Sequence, residues 1–210
     1  CCKDIIPFYE NIEICEKCYA QIPFLNHDNE VYKSIFKGKN LNEILCICEY
    51  EGNIKESIHR FKFEDKPSYH RAFGKLIIDR MDIIKPKFLS EIDLLIPVPL
   101  HKSRLKERGY NQSELLSKYL SKKICIPQNS NNLIRIKNTI PQSLLEKVQR
   151  TQNIEGAFFL NNKNEIKGKS ILLIDDIFTT GVTLEECAST LINEGANKIY
   201  ALTIASGRKY

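Results

Sequence analysis

The residues best suited to chemistry cluster late in the chain. Ile171, Leu172, Leu173 and Ile174 form an apolar run, Asp175 and Asp176 follow it, and residues 179–183 read Thr-Thr-Gly-Val-Thr. Apolar strand, acid pair, small-residue turn and helix, in that order, build a ligand crevice at the carboxyl edge of a parallel sheet. Thr179, Thr180, Gly181, Val182 and Thr183 would supply backbone N–H groups, hydroxyls and a positive helix end, the parts of a monophosphate cradle. Gly181 allows the backbone to close on the anion. Thr183 is expected to cap the helix, with Glu186 as its reciprocal partner. Two carboxylates would repel a phosphate unless they hold donors or a cation. They suit the vicinal hydroxyls of a ribose, or a sugar phosphate carrying Mg²⁺.

A second constellation is made of thiols. The chain has eight cysteines, and Cys15 and Cys18 form a C-x-x-C in a segment too short to bury a core. That spacing aims two thiolates at one tetrahedral Zn²⁺ at ~2.3 Å. Cys2 is a plausible ligand from the other half of a ribbon. The fourth ligand could be Cys1, or a residue upstream of the numbering that makes Cys2 the end of a second C-x-x-C. The latter is preferred, because adjacent residues chelate one metal poorly. With no charged-then-apolar leader, the cysteines point to a reducing compartment, so the expected location is cytoplasmic.

Across the whole chain, 42% hydrophobic and 27% charged residues are ordinary globular values and exclude general disorder. No apolar run approaches the ~18 residues a membrane helix needs, so membrane insertion is not expected. The net charge is +5, but residues 101–150 hold eleven Lys or Arg against three Glu. A local excess of that size favours phosphates or nucleic acid.

Two units follow: residues 1–35 as a cysteine-rich, zinc-ribbon-like segment, and 36–210 as an α/β domain. In the second, Leu45 to Tyr50 alternate like a strand, with Cys46 and Cys48 as packing residues. Ile54, Ile58 and Phe61 mark a helix, and Tyr69 to Ile84 a longer one stopped by Pro86. Residues 93–99 form a buried strand ending in prolines. Asn111 reads as an N-cap with Glu114 as partner. Residues 133–136 make a short strand and 137–153 a long loop. The acid pair follows a strand at 170–174, and residues 183–194 form a helix stopped by Gly195. The last strand covers 198–205. Strands alternating with helices mean a parallel sheet with flanking helices.

The stretch from Ile171 to Thr183 resembles the 5-phosphoribosyl-1-pyrophosphate (PRPP) motif of type I phosphoribosyltransferases. Residues 93–112, residues 142–158 (Gln142, Arg150, Asn153 and Gly156 among them) and the N-terminal cysteines resemble the ComF family of amidophosphoribosyltransferase-like competence proteins. The three blocks stand in the family's order and span nearly the whole chain. One cysteine of the expected set is missing at the N-terminus.

The resemblance implies a type I phosphoribosyltransferase fold behind a zinc ribbon. It implies that Asp175 and Asp176 hold ribose hydroxyls and residues 179–183 the 5-phosphate. His101, Lys102 and Arg104 fall where the family has its pyrophosphate loop, followed by Arg108, Asn111 and Gln112. Residues 138–153, with Gln142, Lys147, Arg150 and Asn153, fall where such transferases carry a flexible loop. The chemistry would be displacement of pyrophosphate at the anomeric carbon, with Mg²⁺ and basic side chains stabilising the leaving group. No nucleobase hood is recognisable. The expected role is handling of incoming single-stranded DNA in natural transformation, alongside a competence helicase or other DNA-processing proteins. The alternative is an active transferase moving ribose 5-phosphate from PRPP to a nitrogen acceptor.

Overall fold

Period-two alternation of large aliphatic residues builds the centre of the molecule. The computed structural model describes residues 14–25, 39–139 and 153–207. Within them, β1 (Glu43–Glu49), β2 (Leu94–Pro97), β5 (Ser170–Phe178) and β6 (Lys198–Ser206) form a four-stranded sheet in the order β1-β6-β5-β2. Every pairing is parallel, with Ile174 opposite Leu202 and Pro97 opposite Ile174. A parallel sheet needs cover on both faces, so its strands are buried almost throughout.

The two faces are covered differently. Ile171, Leu173, Ile199 and Ala201 pack under α6 (Val182–Asn193), through its Leu184, Cys187, Ala188 and Leu191. They also meet a small antiparallel ribbon of β3 (Leu133–Arg135) and β4 (Phe158–Leu160). Leu172, Ile174, Leu202 and Ile204 face α2 (Gly52–Phe63), α3 (Tyr69–Ile84) and α5 (Gln112–Ile124). Gly74 on α3 lies against the Tyr119 ring of α5, and a Cβ there would drive into that ring. The glycine therefore sets how closely these two helices approach.

Short α1 (Glu16–Ala20) and its flanks dock on the same body. Cys18, Ile22 and Leu25 are buried, and Arg80 donates to the Leu25 carbonyl at 3.1 Å with its guanidinium 4.8 Å above the Phe24 ring. Cys46 and Cys48 are fully buried, as packing residues should be, and burial pushes the Cys48 thiol up to about 12.

Several elements differ from expectation at their ends. The strand through Ile174 does not stop at the acids. Asp175 pairs with Thr203 and Phe178 with Ser206, because β6 is long enough to keep the ladder going. Asn111 does cap α5, accepting from Ser113 N at 3.1 Å, but Glu114 is drawn to Lys118 at 2.6 Å one turn on. Lys85 closes α3 in the left-handed conformation just before Pro86. Among the described residues no helix is long and apolar enough to cross a membrane.

Candidate functional site

The loop between β5 and α6 is where the chain leaves the sheet for a helix. Gly181 has φ 83°, a left-handed conformation that turns the chain into α6 at Val182. Thr183 is thus the second residue of the helix and not its cap, and Gly181, in the capping position, brings no side chain to this end. Glu186 accepts instead from Gly156 N at 2.6 Å. The helix starts earlier than expected because a left-handed glycine supplies the turn that a capping threonine would otherwise make. The first amides of an α-helix have no partner within the helix, so this end presents donors and a positive dipole.

Asp175, Thr179, Thr180, Gly181, Val182 and Thr183 line one open pocket, with Ile177, Phe178 and Leu184 as its apolar floor. The pocket lies at the carboxyl end of β5, where parallel sheets place their ligands.

The two acids have parted company. Residues along a strand alternate faces, and each carboxylate meets its own donors. Asp175 accepts from Ser113 Oγ at 3.1 Å and from Asp176 N at 2.9 Å. Asp176 is paired with Lys62 of α2, Nζ to Oδ1 2.9 Å, both side chains largely buried. Burial, and then the Asp176 charge, push the Asp175 carboxyl up to about 7. Asp175 therefore already accepts from a hydroxyl, the kind of donor a sugar would bring, while Asp176 is held by an ammonium.

Cations gather around this pair. Arg108, at the end of α4 (Lys102–Arg108), is held below its ordinary pKa by burial, with Asp176 acting against the shift. Arg135 of β3 is 9% exposed and its Nε has no hydrogen-bond partner. Burial and neighbouring Arg104 pull it down, while Asp175 pulls it back. Arg104 and Arg135 both engage Thr139, at its carbonyl (2.8 Å) and its hydroxyl respectively.

The profile of the phosphoribosyl transferase domain matches residues 96–210. Competence protein F of Haemophilus influenzae is 34% identical over 91% of this chain and 90% of its own. Competence protein ComFC of Bacillus subtilis is 34% identical over 80% of this chain and 66% of its own. The DNA utilization protein YhgH of Escherichia coli K12 is 28% identical over 87% and 79%. The chain belongs to the ComF family.

In this ComF-family protein the expected anion residues are spread along one helix. Lys102 is exposed, and Arg104 and Arg108 are partly covered. His101 precedes α4 in extended conformation and its ring caps the helix, accepting from Ser103 N at 3.3 Å. Asn153 is half-buried at the edge of the described region, while Gln142, Lys147 and Arg150 lie outside the described residues. So does Cys2. Cys15 and Cys18 share one turn of α1, where the Cys15 carbonyl accepts from Tyr19 N at 2.9 Å. Two thiols on one turn suit half of a tetrahedral thiolate set.

Lys62, Ser113 and Arg135 escaped the sequence reading. Lys62 had no local signal, since its partner is remote in sequence. Arg135 had one: it shares the inward face of its strand with buried Leu133, two residues earlier, and a charge in that position needs a reason.

Proposed function

We propose that this ComF-family protein handles incoming single-stranded DNA on a phosphoribosyltransferase scaffold whose pocket holds the sugar and phosphate of a PRPP-like ligand. The supporting observation is the pocket in which Asp175 and residues 179–183 stand together at the end of β5. In this reading the helix-end amides and the Thr hydroxyls take the 5-phosphate, and Asp175 and Asp176 accept from ribose hydroxyls in place of Ser113 and Lys62. Arg104, Arg108 and Lys102 attract the second anionic group. Mg²⁺, when carried in on a pyrophosphate, would neutralise its charge.

The DNA role draws on the relatives named for competence and DNA utilization and on the basic excess in residues 101–150. A helicase or other DNA-processing protein of the competence machinery is the fitting partner, in the cytoplasm. Zn²⁺ held by Cys2, Cys15, Cys18 and a fourth thiolate would order the N-terminal segment.

Calorimetry with PRPP, ribose 5-phosphate and inorganic phosphate, with Mg²⁺ present, tests the pocket. Binding of the sugar phosphates supports it, and binding of none of the three removes it. The pocket that joins Asp175 to the β5–α6 loop also favours a second reading, ribosyl transfer. Pyrophosphate release from PRPP with any base or amine acceptor would establish that activity.

A further inference from the structure

We propose that Phe63, with the Arg108 guanidinium over its ring, is a stacking platform for a base of single-stranded DNA close to Asp176. The inference rests on the DNA-handling reading above and gives it a place on the surface. Phe63 is the last residue of α2 and is 66% exposed. Arg108 lies 5.3 Å from its ring centroid, and the His59 ring, one turn back, lies 5.0 Å away at 47°. Aromatic rings and guanidinium planes both stack bases without regard to sequence.

The position of the platform is fixed by two neighbours. Lys62, the residue before Phe63, is the ion-pair partner of Asp176. Arg108 feels the Asp176 charge while lying over Phe63. The platform therefore adjoins Asp176, the neighbour in β5 of the pocket-lining Asp175. Its surroundings also complement a strand. Arg108 ends the helix that carries exposed Lys102 and Lys106, which suits phosphates running past the ring. Of the acids in this neighbourhood, Glu64 faces Arg60 Nε at 4.0 Å, and Glu107 and Asp176 act on the Arg108 charge. Beside Arg108 and the His59 ring Phe63 stays largely exposed, which suits a base on a passing strand better than a small base that must be captured whole.

The chain contains no Trp, so Phe63→Trp in the full-length protein places a single reporter at the platform. Its emission should be quenched by an oligothymidylate and not by an abasic strand of equal length. Phe63→Ala should lower oligothymidylate affinity about tenfold and leave the abasic strand unaffected. Unchanged emission while anisotropy shows the strand bound would overturn the proposal. So would equal affinity of Phe63→Ala, or quenching by free nucleobases as strong as by the strand. If the wild type binds no oligonucleotide at all, it is the DNA-handling reading that fails, and the platform with it.

Discussion

Lys62 and Asp176 form an ion pair across the top of the sheet, 2.9 Å between Nζ and Oδ1, with side chains 21% and 11% exposed. The pair joins the end of α2 to the strand that leads into the β5–α6 loop, and it holds one of the two acids proposed to meet a ribose. Removing one partner of a buried pair leaves the other unpaired and costs more than removing both. Lys62→Ala should lower unfolding free energy by roughly 1–3 kcal/mol, below the ~3–5 of a fully buried pair. Adding Asp176→Asn should recover part of that loss. Urea unfolding of the two single variants and the double variant measures the coupling. Additive losses would mean the pair contributes nothing as a pair.

Asp175 gives the fold a pH dependence of definite sign. Its carboxyl is raised from 3.8 to about 7, first by burial and then by Asp176. Between those two values the folded chain holds a proton that the unfolded chain has released. Stability from this group is therefore greatest in acid and falls as pH rises through the window from about 4 to 7. Asp175→Asn can still accept from Ser113 but cannot titrate. The difference in unfolding free energy between wild type and variant should shift in the variant's favour from pH 5 to pH 8. A difference independent of pH would show that the carboxyl titrates normally.

Gly181 is the residue on which the β5–α6 loop turns. A side chain at φ 83° costs roughly 1–2 kcal/mol. Gly181→Ala should lower stability by about that much and weaken ribose 5-phosphate binding, because the helix-end amides shift. Thr183→Val, inside the helix and lining the pocket, removes only a hydroxyl. A hydrogen bond to a charged group is worth roughly 1.5–3 kcal/mol, so affinity for ribose 5-phosphate should fall about tenfold or more. With no capping role to lose, stability should change little. A large stability loss in Thr183→Val would point back to a cap.

What the sequence made legible was set by local signals. The strand-to-helix order around Ile171 to Thr183, the apolar alternation of each sheet strand and the Asn111 cap all depend on residues within a turn or two of one another. The layout of the acids did not. Whether β5 ends at Ile174 or runs on to Phe178 depends on whether β6 offers partners, and Thr203 and Ser206 do. That extension turns adjacent Asp175 and Asp176 toward different donors. Contacts of this kind are fixed by tertiary packing and leave no mark in spacing.

The N-terminal thiols yield a test of composition. If Cys2, Cys15 and Cys18 hold Zn²⁺, metal analysis of the full-length protein should give about one Zn per chain, and Cys15→Ser should lose it. The strands of the sheet all lie beyond residue 40, so far-ultraviolet circular dichroism of that variant should keep most of its helix and strand signal. A metal-free preparation with an ordered N-terminal segment would rule the site out.

The basic helix α4 supplies the last test, and the structure decides which residues to change. Arg104 donates to the Thr139 carbonyl at 2.8 Å, and Arg108 lies over Phe63. Reversing either would disturb packing as well as charge. Lys102 and Lys106 are exposed and take part in none of the ion pairs formed among the described residues. A lysine that neutralises a phosphate releases a counterion, so single-strand affinity should fall steeply as salt rises. Every phosphate left unneutralised lowers the slope of log affinity against log salt by roughly 0.7 for a single strand. Lys102→Glu with Lys106→Glu should therefore flatten that slope by about 1.4 and weaken oligothymidylate and mixed-sequence strands alike. Stacking at Phe63 carries no counterion term, so Phe63→Ala should lower affinity at every salt concentration without altering the slope. Fluorescence anisotropy titrations across a salt series separate the two effects. If the lysine double variant keeps the wild-type slope, the strand does not run along α4, and its phosphates are held elsewhere on the protein.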